Sequence, residues 1–334
     1  MKKIKVYAVI PEERPYIEEW AKANAEAYEL DLTTEELKPE NVETAKGFDG
    51  VTTMQMYPIV QPVYSKLKEY GIRNIAQRSA GFDMYDLEAA SANDIIITNV
   101  PSYSPESIAE FTVYSALKII RKIDLIESRV KDQNFTWEPE ILARPIHGMT
   151  VAVIGVGRIG SRVCRLFKNG FGAHVVGYDI KPRKKFKELV EYKDNLEETI
   201  ADADIVTIHM PLTEENMYQF DYDLFKKMKK GAVLVNTARG KIVRTKDLIK
   251  AVDEGHIAGA ALDVYENEAE YMPKDWRGRV IEDDLFVELL NHPTIIYTPH
   301  IAYYTDVAMK NLAQGGLDST VEVIETGDSV NRVN

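Results

Sequence analysis

The sequence of 334 residues contains one cysteine, Cys164, so no disulfide can form within the chain. A single cysteine is typical of a reducing compartment. No run of apolar residues approaches the ~18 that a membrane-spanning helix needs. Basic residues are outnumbered, with 41 Lys and Arg against 53 Asp and Glu, and the net charge of −12 argues against nucleic-acid binding. We therefore expect a cytoplasmic protein with neither a membrane nor a nucleic acid as partner.

The first hundred residues predict alternating strands and helices. Short apolar runs predict strands at 4–10, 50–54, 72–77 and 95–99, with helices at 15–28, 63–70 and 86–92. Strands separated by helices of this length are typical of a parallel sheet. Ser104 as an N-cap and Pro105 at the first helical position then predict a helix that runs through Ile120.

A second series of strands and helices begins at Thr150. Its six strand-like runs match the sheet of a dinucleotide-binding domain. One more helix is predicted at 306–326, and we expect it to return and cover the strands of the first series. The sequence thus predicts an α/β fold with a discontinuous first domain, 1–101 with 301–334, and a second domain at 102–300.

The clearest local motif is Gly155-Val156-Gly157-Arg158-Ile159-Gly160, which follows an apolar strand and opens a helix. In such a turn the glycines permit close approach of the backbone to a pyrophosphate, and the helix N-terminus attracts its charge. Asp179 ends the next strand, where an acidic residue binds the adenosine ribose and repels a 2′-phosphate. The motif predicts NAD rather than NADP, although the nearby Arg183, Lys184 and Lys185 weaken that preference.

Three longer segments of the second half extend the pattern. They are Lys229–Gly240 (KKGAVLVNTARG), Leu262–Glu268 (LDVYENE) and Thr298-Pro299-His300. With the glycine motif, these segments resemble the D-2-hydroxyacid dehydrogenase family over the whole chain. Within that family the chain is most similar to bacterial D-lactate dehydrogenases, as Gln77–Asp83 (QRSAGFD) and Asn99–Pro105 (NVPSYSP) also indicate.

The resemblance implies an NADH-dependent reduction of a 2-keto acid, with pyruvate and D-lactate as the leading pair. It also implies a Rossmann NAD-binding domain, a flavodoxin-like substrate domain formed by both chain ends, and a homodimer in which the helix from Ser104 packs on its symmetry mate. No metal is implied. Trp137 would lie either in the core or against the neighbouring subunit.

The resemblance assigns three catalytic roles. His300 would be the general acid, which suits histidine because it titrates near neutral pH. Glu268 would hydrogen-bond the imidazole and favour its protonated form. Arg239 would bind the substrate carboxylate, since a guanidinium can donate two parallel hydrogen bonds.

Other residues are implied as ligand contacts. Ala80 and Gly81 would offer backbone N–H groups to the substrate carboxylate, Tyr103 a hydroxyl, and Tyr303 or Tyr304 a wall of the pocket. For each of these tyrosines, a purely structural role in side-chain packing is an equal alternative. The implied cofactor contacts are Gly155, Gly157, Arg158, Ile159, Gly160, Asp179, Met210, Pro211, Asn216, Thr237, Ala238 and Asp263.

Two alternatives stay open at this stage. The same chemistry could serve a larger substrate, as in a D-2-hydroxyisocaproate dehydrogenase, because a sequence does not measure the volume of a pocket. The chain could instead be an NAD-sensing protein of the corepressor kind, which shares this scaffold. The lack of a net basic surface argues against that second alternative.

Overall fold

The computed structural model describes all 334 residues, whose contacts divide the chain into two compact units. Unit 1 comprises Met1–Ser104 with Tyr304–Asn334, and unit 2 comprises Pro105–Tyr303. Each border lies three residues beyond the corresponding predicted one, at 104 against 101 and at 303 against 300. No helix combines the length and the apolar character that crossing a membrane requires.

The regular elements follow one another along the chain in this order. The strands are β1 (Lys2–Val6), β2 (Tyr28–Leu32), β3 (Gly50–Thr53), β4 (Asn74–Gln77), β5 (Ile96–Thr98), β6 (Thr150–Ile154), β7 (His174–Tyr178), β8 (Glu191–Tyr192), β9 (Ile205–Ile208), β10 (Ala232–Asn236), β11 (Ile257–Leu262) and β12 (Ile295–Tyr297). The helices are α1 (Arg14–Ala23), α2 (Gln61–Glu69), α3 (Leu87–Ala92), α4 (Pro105–Ile120), α5 (Ile123–Lys131), α6 (Arg158–Arg165), α7 (Leu196–Ile200), α8 (Tyr222–Lys227), α9 (Thr245–Asp253), α10 (Asp284–Asn291) and α11 (Asp306–Thr326). Short 3₁₀ turns cover Val42–Ala45, Pro139–Ile141, Lys184–Phe186, Gly240–Ile242 and Glu268–Glu270, and a π-helical turn, Leu166–Gly170, continues α6.

Each unit contains one parallel sheet. In unit 1 the strand order is β2-β1-β3-β4-β5, which is the flavodoxin-like order. In unit 2 the order is β12-β11-β10-β9-β6-β7-β8, a Rossmann-type sheet whose order reverses between β6 and β9. Ligands bind such sheets at the carboxyl ends of the strands near the reversal. The predicted α/β fold is confirmed.

The observed elements depart from the predicted ones in several places, among them helix α5, which the sequence pattern does not predict. β1 ends at Val6, short of the predicted residue 10, because Ala8 has φ of 52° and leaves the extended conformation. α1 ends at Ala23 instead of 28, and the next residues form β2, which the sequence pattern does not predict. The second sheet has seven strands rather than six, because the two-residue strand β8 joins its edge.

The last helix covers the sheet of unit 1, as expected for strands that need a covering layer. α11 has the predicted bounds, begins at the N-cap Thr305 and ends at Gly327, which has φ of 83°. Ala313 and Leu317 of α11 pack in one apolar cluster with residues of β1 and α1. Burial of such apolar surface contributes ~25 cal/mol per Å², so this cluster stabilises the attachment of the C-terminal segment.

Candidate active site

The glycine motif forms a tight turn between β6 and α6. Gly155 has φ of +91°, and a Cβ there would lie 2.8 Å from the backbone carbonyl of His209. A Cβ on Gly160 would lie 2.0 Å from the carbonyl oxygen of Gly155, so only glycine permits this approach of helix to strand. A Cβ on Gly157 would meet no protein atom within 4 Å, which leaves this side of the turn open.

The start of α6 is suited to an anion. Its N-cap is Gly157, so no side chain caps the backbone N–H groups of the first turn, which begins with Arg158 and Ile159. Uncapped N–H groups at a helix N-terminus, together with the helix dipole, bind phosphate groups. An open glycine turn and an uncapped helix start together fit the pyrophosphate of a dinucleotide.

Asp179 lies directly after β7 and faces the same turn. Its Oδ2 accepts a hydrogen bond from Val156 N at 2.9 Å, and its Oδ1 accepts one from Lys181 N at 2.8 Å. Each carboxylate oxygen has two lone pairs, so both keep capacity for a ribose hydroxyl. The structure thus brings the predicted acid to the glycine motif, where it also orders the turn.

His209, at the end of β9, has an unexpected environment. No motif of the sequence assigns a function to this histidine. Both ring nitrogens are buried without a hydrogen-bond partner. Burial lowers the pKa of His209 to about 3, because a charged imidazole would lose its hydration. Its backbone packs against Gly155, so His209 adjoins the glycine turn.

This burial predicts a pH-dependent loss of stability. In the unfolded chain His209 takes up a proton near its ordinary pKa of 6.5, and in the folded protein it does so only near 3. Between these values the unfolded state binds more protons, so stability falls as the pH falls, by up to about 1.4 kcal/mol per pH unit. We expect the free energy of unfolding of wild type, relative to His209→Gln, to fall at this rate below about pH 6.

Urea unfolding of both proteins at several pH values between 7 and 5 measures this difference. His174→Gln is the matched control, because His174 is an exposed histidine beside Glu191 in the same unit. A difference between wild type and His209→Gln that does not change with pH would contradict a neutral His209 with buried ring nitrogens.

The loop after β9 carries three of the predicted cofactor residues. Asn216 donates through Nδ2 to the carbonyl oxygen of Pro211 at 2.7 Å and accepts from Thr213 N at 2.8 Å. Met210 is partly buried against the apolar cluster on one face of the sheet. In this structure the side chain of Asn216 therefore orders the loop that bears Met210 and Pro211.

The turn after β10 holds Arg239 through a buried asparagine. Asn236 accepts from Ala238 N at 3.0 Å and donates through Nδ2 to the carbonyl oxygen of Arg239, also at 3.0 Å. Thr237 contacts Thr112 of α4 at 3.0 Å, hydroxyl to hydroxyl. The residue after Arg239 must be glycine, since a Cβ on Gly240 would lie 2.1 Å from the backbone of Tyr265. The Arg239 turn thus packs directly against the segment that leads to Glu268.

His300 and Glu268 form a hydrogen-bonded pair. His300 Nδ1 lies 2.8 Å from Glu268 Oε1, and both side chains are partly exposed. Glu268 Oε2 accepts from Tyr265 N at 3.0 Å, which fixes the carboxylate. With Nδ1 bonded to an acceptor, Nε2 is the nitrogen that can exchange a proton with a substrate.

Asp263 determines the path of the backbone at His300. Its Oδ1 accepts from Thr298 Oγ1 at 2.6 Å and Ile301 N at 3.0 Å, and its Oδ2 accepts from Ala302 N at 2.8 Å. His300 has φ of 52°, in the left-handed region, and its N–H donates to the carbonyl oxygen of Asp263. Burial raises the pKa of Asp263, and these hydrogen bonds oppose the rise. In this structure Asp263 positions the His300 loop, which the resemblance alone did not indicate.

Unit 1 contains three of the predicted substrate residues. Ala80 and Gly81 lie three and four residues after the end of β4, at the carboxyl edge of the sheet. The carbonyl oxygen of Tyr103 accepts from Asn311 Nδ2 at 2.5 Å. Tyr303, at the end of unit 2, places its ring at 89° to that of His300, with 6.2 Å between centroids.

The chain matches a family model and is similar to curated relatives. Residues 113–302 match the family model described as D-isomer specific 2-hydroxyacid dehydrogenase, NAD binding domain. A curated relative named D-lactate dehydrogenase, from Streptococcus pyogenes serotype M1, is 52% identical over 332 residues, which cover 99% of this chain and 100% of the relative.

Solved structures of two proteins resemble both units of the chain. One is a D-isomer specific 2-hydroxyacid dehydrogenase from Lactobacillus delbrueckii ssp. bulgaricus in an NAD-complexed form, with a TM-score of 0.88, 36% identity and 100% coverage of both chains. The other is a D-2-hydroxyisocaproate dehydrogenase, with a TM-score of 0.91, 33% identity and 99% coverage of both chains.

Proposed function

The chain belongs to the D-isomer specific 2-hydroxyacid dehydrogenase family, and we propose on that premise that it reduces pyruvate to D-lactate with NADH, reversibly. The observation that carries this proposal is the pair of His300 Nδ1 and Glu268 Oε1 at 2.8 Å, beside the turn that bears Arg239. A proton donor, a carboxylate that orients it and a guanidinium are the groups that reduction of an anionic keto acid requires. The identity of 52% to a D-lactate dehydrogenase over the full length supports pyruvate as the substrate.

We assign the cofactor to unit 2. The turn from Gly155 to Gly160 and the first turn of α6 would bind the pyrophosphate, and Asp179 the adenosine ribose. Met210, Pro211 and Asn216 would follow along the loop after β9, and Thr237, Ala238 and Asp263 would lie on the nicotinamide side. When bound, NADH supplies the hydride that reduces the keto carbon.

The chain's own residues bind and orient the keto acid. Arg239 donates two hydrogen bonds to its carboxylate, as the planar guanidinium permits. The backbone N–H groups of Ala80 and Gly81 are further proposed donors to that carboxylate. Tyr103 and Tyr303 are proposed to line the side-chain pocket.

His300 supplies the proton of the reaction. In the direction of reduction, Nε2 gives a proton to the keto oxygen, and in lactate oxidation it takes the proton back. Glu268 accepts from Nδ1, so it selects the tautomer and stabilises the charged ring. Asp263 keeps the ring in place through the loop 298–302.

Glu268→Gln is expected to lower kcat for pyruvate reduction. The carboxylate of Glu268 accepts hydrogen bonds from His300 and Tyr265, whereas the amide of glutamine has only one acceptor oxygen and so loses one of the two. The ring of His300 is then held less firmly in the orientation that presents Nε2 to the substrate. We expect kcat to fall about tenfold, as for the loss of one hydrogen bond to a charged group.

Rates of NADH oxidation at saturating pyruvate test this loss. Glu270→Gln is the matched control, since Glu270 is an exposed glutamate two residues away. An unchanged kcat in Glu268→Gln would remove Glu268 from the mechanism.

The substrate is tested by loss of absorbance at 340 nm. The panel is pyruvate, 2-ketobutyrate, 2-ketoisocaproate, oxaloacetate and 2-ketoglutarate, each with NADH and with NADPH, and the handedness of the product is determined enzymatically. We expect pyruvate with NADH to be the fastest pair and D-lactate to be the product. Preference for 2-ketoisocaproate would keep the mechanism and change the substrate. NADH binding without turnover of any of these acids would favour the alternative of an NAD-sensing protein.

We propose that the chain works as a homodimer. Large apolar side chains are exposed in and after α4, and they are Tyr114, Val130, Phe135, Trp137 and Leu142. Trp137 is 97% exposed, so it does not lie in the core of unit 2. A concentration of exposed apolar residues on one segment is typical of a protein–protein interface, and a twofold dimer is the commonest assembly. Light scattering of the purified protein tests this.

We infer that the protein acts in the cytoplasm on small molecules, without a nucleic acid or a membrane as partner. The net charge of −12 and the single cysteine support this inference. Cys164 is buried in α6, and burial raises the pKa of its thiol to about 12, which suits a structural role in a reducing compartment.

A further inference from the structure

We propose that Asn99 and Ser79 are positioning residues that aim the backbone N–H groups of the loop 79–82 at the carboxylate of the substrate. This inference rests on the proposed function, because it takes Ala80 and Gly81 as donors to a keto acid. It adds the residues that orient these backbone N–H groups. All residues of this arrangement belong to unit 1.

Every carbonyl oxygen of the segment Ser79-Ala80-Gly81 is bound by a donor of the protein. The carbonyl oxygen of Ser79 accepts from Val100 N at 2.9 Å. That of Ala80 accepts from Asn99 Nδ2 at 2.7 Å, and that of Gly81 accepts from Ser79 Oγ at 2.6 Å. Each of three successive peptide groups is therefore held in place by a hydrogen bond to its carbonyl oxygen.

A bound carbonyl determines where the next N–H points. The peptides of this segment are trans, so the C=O of one residue and the N–H of the next are antiparallel in one rigid plane. Each hydrogen bond to a carbonyl thus turns the following N–H, of Ala80, Gly81 or Phe82, away from the donor. None of these three N–H groups donates to an acceptor within the protein. Uncommitted N–H groups in fixed directions are suited to a carboxylate.

The base of the loop is rigid as well. Arg78 is fully buried and bonds Glu13 through two nitrogens, Nε to Oε2 at 2.9 Å and a terminal nitrogen to Oε1 at 2.7 Å. Gln77 donates to Ser79 Oγ at 2.9 Å and accepts from Tyr85 OH at 2.6 Å. Ser79 Oγ therefore receives one hydrogen bond and gives one, which fixes its hydroxyl toward Gly81.

Only two of the three donors to the loop carbonyls are side chains. Val100 uses its backbone, whereas Asn99 and Ser79 can be altered without changing the sheet. Asn99 is buried and comes directly after β5, next to the strand that leads into the loop. Removing either side chain lets one peptide group rotate. The substrate must then order a backbone N–H group that the native loop already presents in the required orientation.

The test compares an anionic substrate with its uncharged ester. Wild type, Asn99→Ala and Ser79→Ala are assayed with pyruvate and with methyl pyruvate, and NADH binding is measured by fluorescence. Asn74→Ala is the matched control, since Asn74 is a buried asparagine of the same sheet whose Nδ2 donates to the carbonyl oxygen of Val51 at 3.3 Å. The ratio of kcat/KM for the two substrates cancels differences in the amount of folded enzyme.

We expect the ratio to fall about tenfold in Asn99→Ala and Ser79→Ala, mainly through KM for pyruvate, as for the weakening of one hydrogen bond to a charged group. The ratio in Asn74→Ala and the dissociation constant of NADH in all variants should stay at the wild-type value. If only one of the two variants folds, that variant decides.

Two results would overturn the inference in different ways. Wild type that reduces pyruvate, with the ratio unchanged in the folded variants, overturns the role of Asn99 and Ser79 alone. Wild type that binds NADH but reduces no keto acid overturns the proposed function, and this inference with it.

Discussion

Replacing His300 by asparagine should lower kcat for pyruvate reduction by about 10²- to 10⁴-fold, the usual contribution of a general acid. Asparagine is the sharper substitution because His300 has φ of 52°, and asparagine tolerates the left-handed region better than alanine does. It cannot deliver a proton near neutral pH, so the loss is chemical rather than conformational. Single-turnover rates with saturating NADH and pyruvate measure the chemical step directly.

The controls for His300→Asn separate chemistry from folding. The dissociation constant of NADH should not change, because His300 is not among the residues assigned to the cofactor. His174→Asn should keep wild-type turnover, since that histidine pairs with Glu191 on the surface of the same unit. Near-normal turnover in His300→Asn would refute its role as the general acid.

Arg239→Leu should have the second large effect. Removing one partner of a hydrogen-bonded charge pair costs about 2–5 kcal/mol, so we expect kcat/KM for pyruvate to fall about 30- to 5,000-fold. Arg239→Lys should recover part of the loss, because lysine keeps the charge but cannot donate two parallel hydrogen bonds. Initial rates over a range of pyruvate concentrations give kcat and KM for both variants.

Arg244→Lys is the matched control for Arg239. Arg244 lies five residues further along, where its guanidinium stacks on Tyr218 at 4.6 Å from the ring centre and contacts Asp247. It is not among the residues assigned to the substrate, so its kinetics should match those of wild type. If Arg239→Leu and Arg244→Lys lost activity to the same extent, the guanidinium of Arg239 would have no special role in binding the carboxylate.

Much of the architecture is predictable because it depends on the pattern of residues close together in the sequence. Helix α11 has the predicted bounds because its apolar spacing, its N-cap Thr305 and its final Gly327 all lie within the segment itself. The glycine motif is recognisable for the same reason, since a strand, three glycines and a helix start are consecutive. The strand β2 is not predictable in this way. Its sequence, YELDL, carries two charges and becomes a strand by pairing along β1.

The site is predictable in its residue types and less so in its contacts. The family motifs name Arg239, Glu268 and His300, and the structure brings Glu268 and His300 into hydrogen-bond contact. The same motifs point to Asp263 as a cofactor contact, and only the structure shows that its carboxylate also binds the loop around His300. For Asn99 the sequence offers only its place in a motif, with no indication that its amide binds Ala80.

The sequence by itself determined most of the succession of elements, the family, the dinucleotide turn and the chemical groups of the reaction. These depend on short-range spacing and turn chemistry, which act between neighbours in the chain. The tertiary structure decided which groups meet. The decisive hydrogen bonds join residues 19 positions apart for Asn99 and Ala80, 32 for Glu268 and His300, and 39 for Asp263 and Ala302. Such contacts form only because parallel strands bring their carboxyl ends to one edge of a sheet, and no local pattern encodes that meeting.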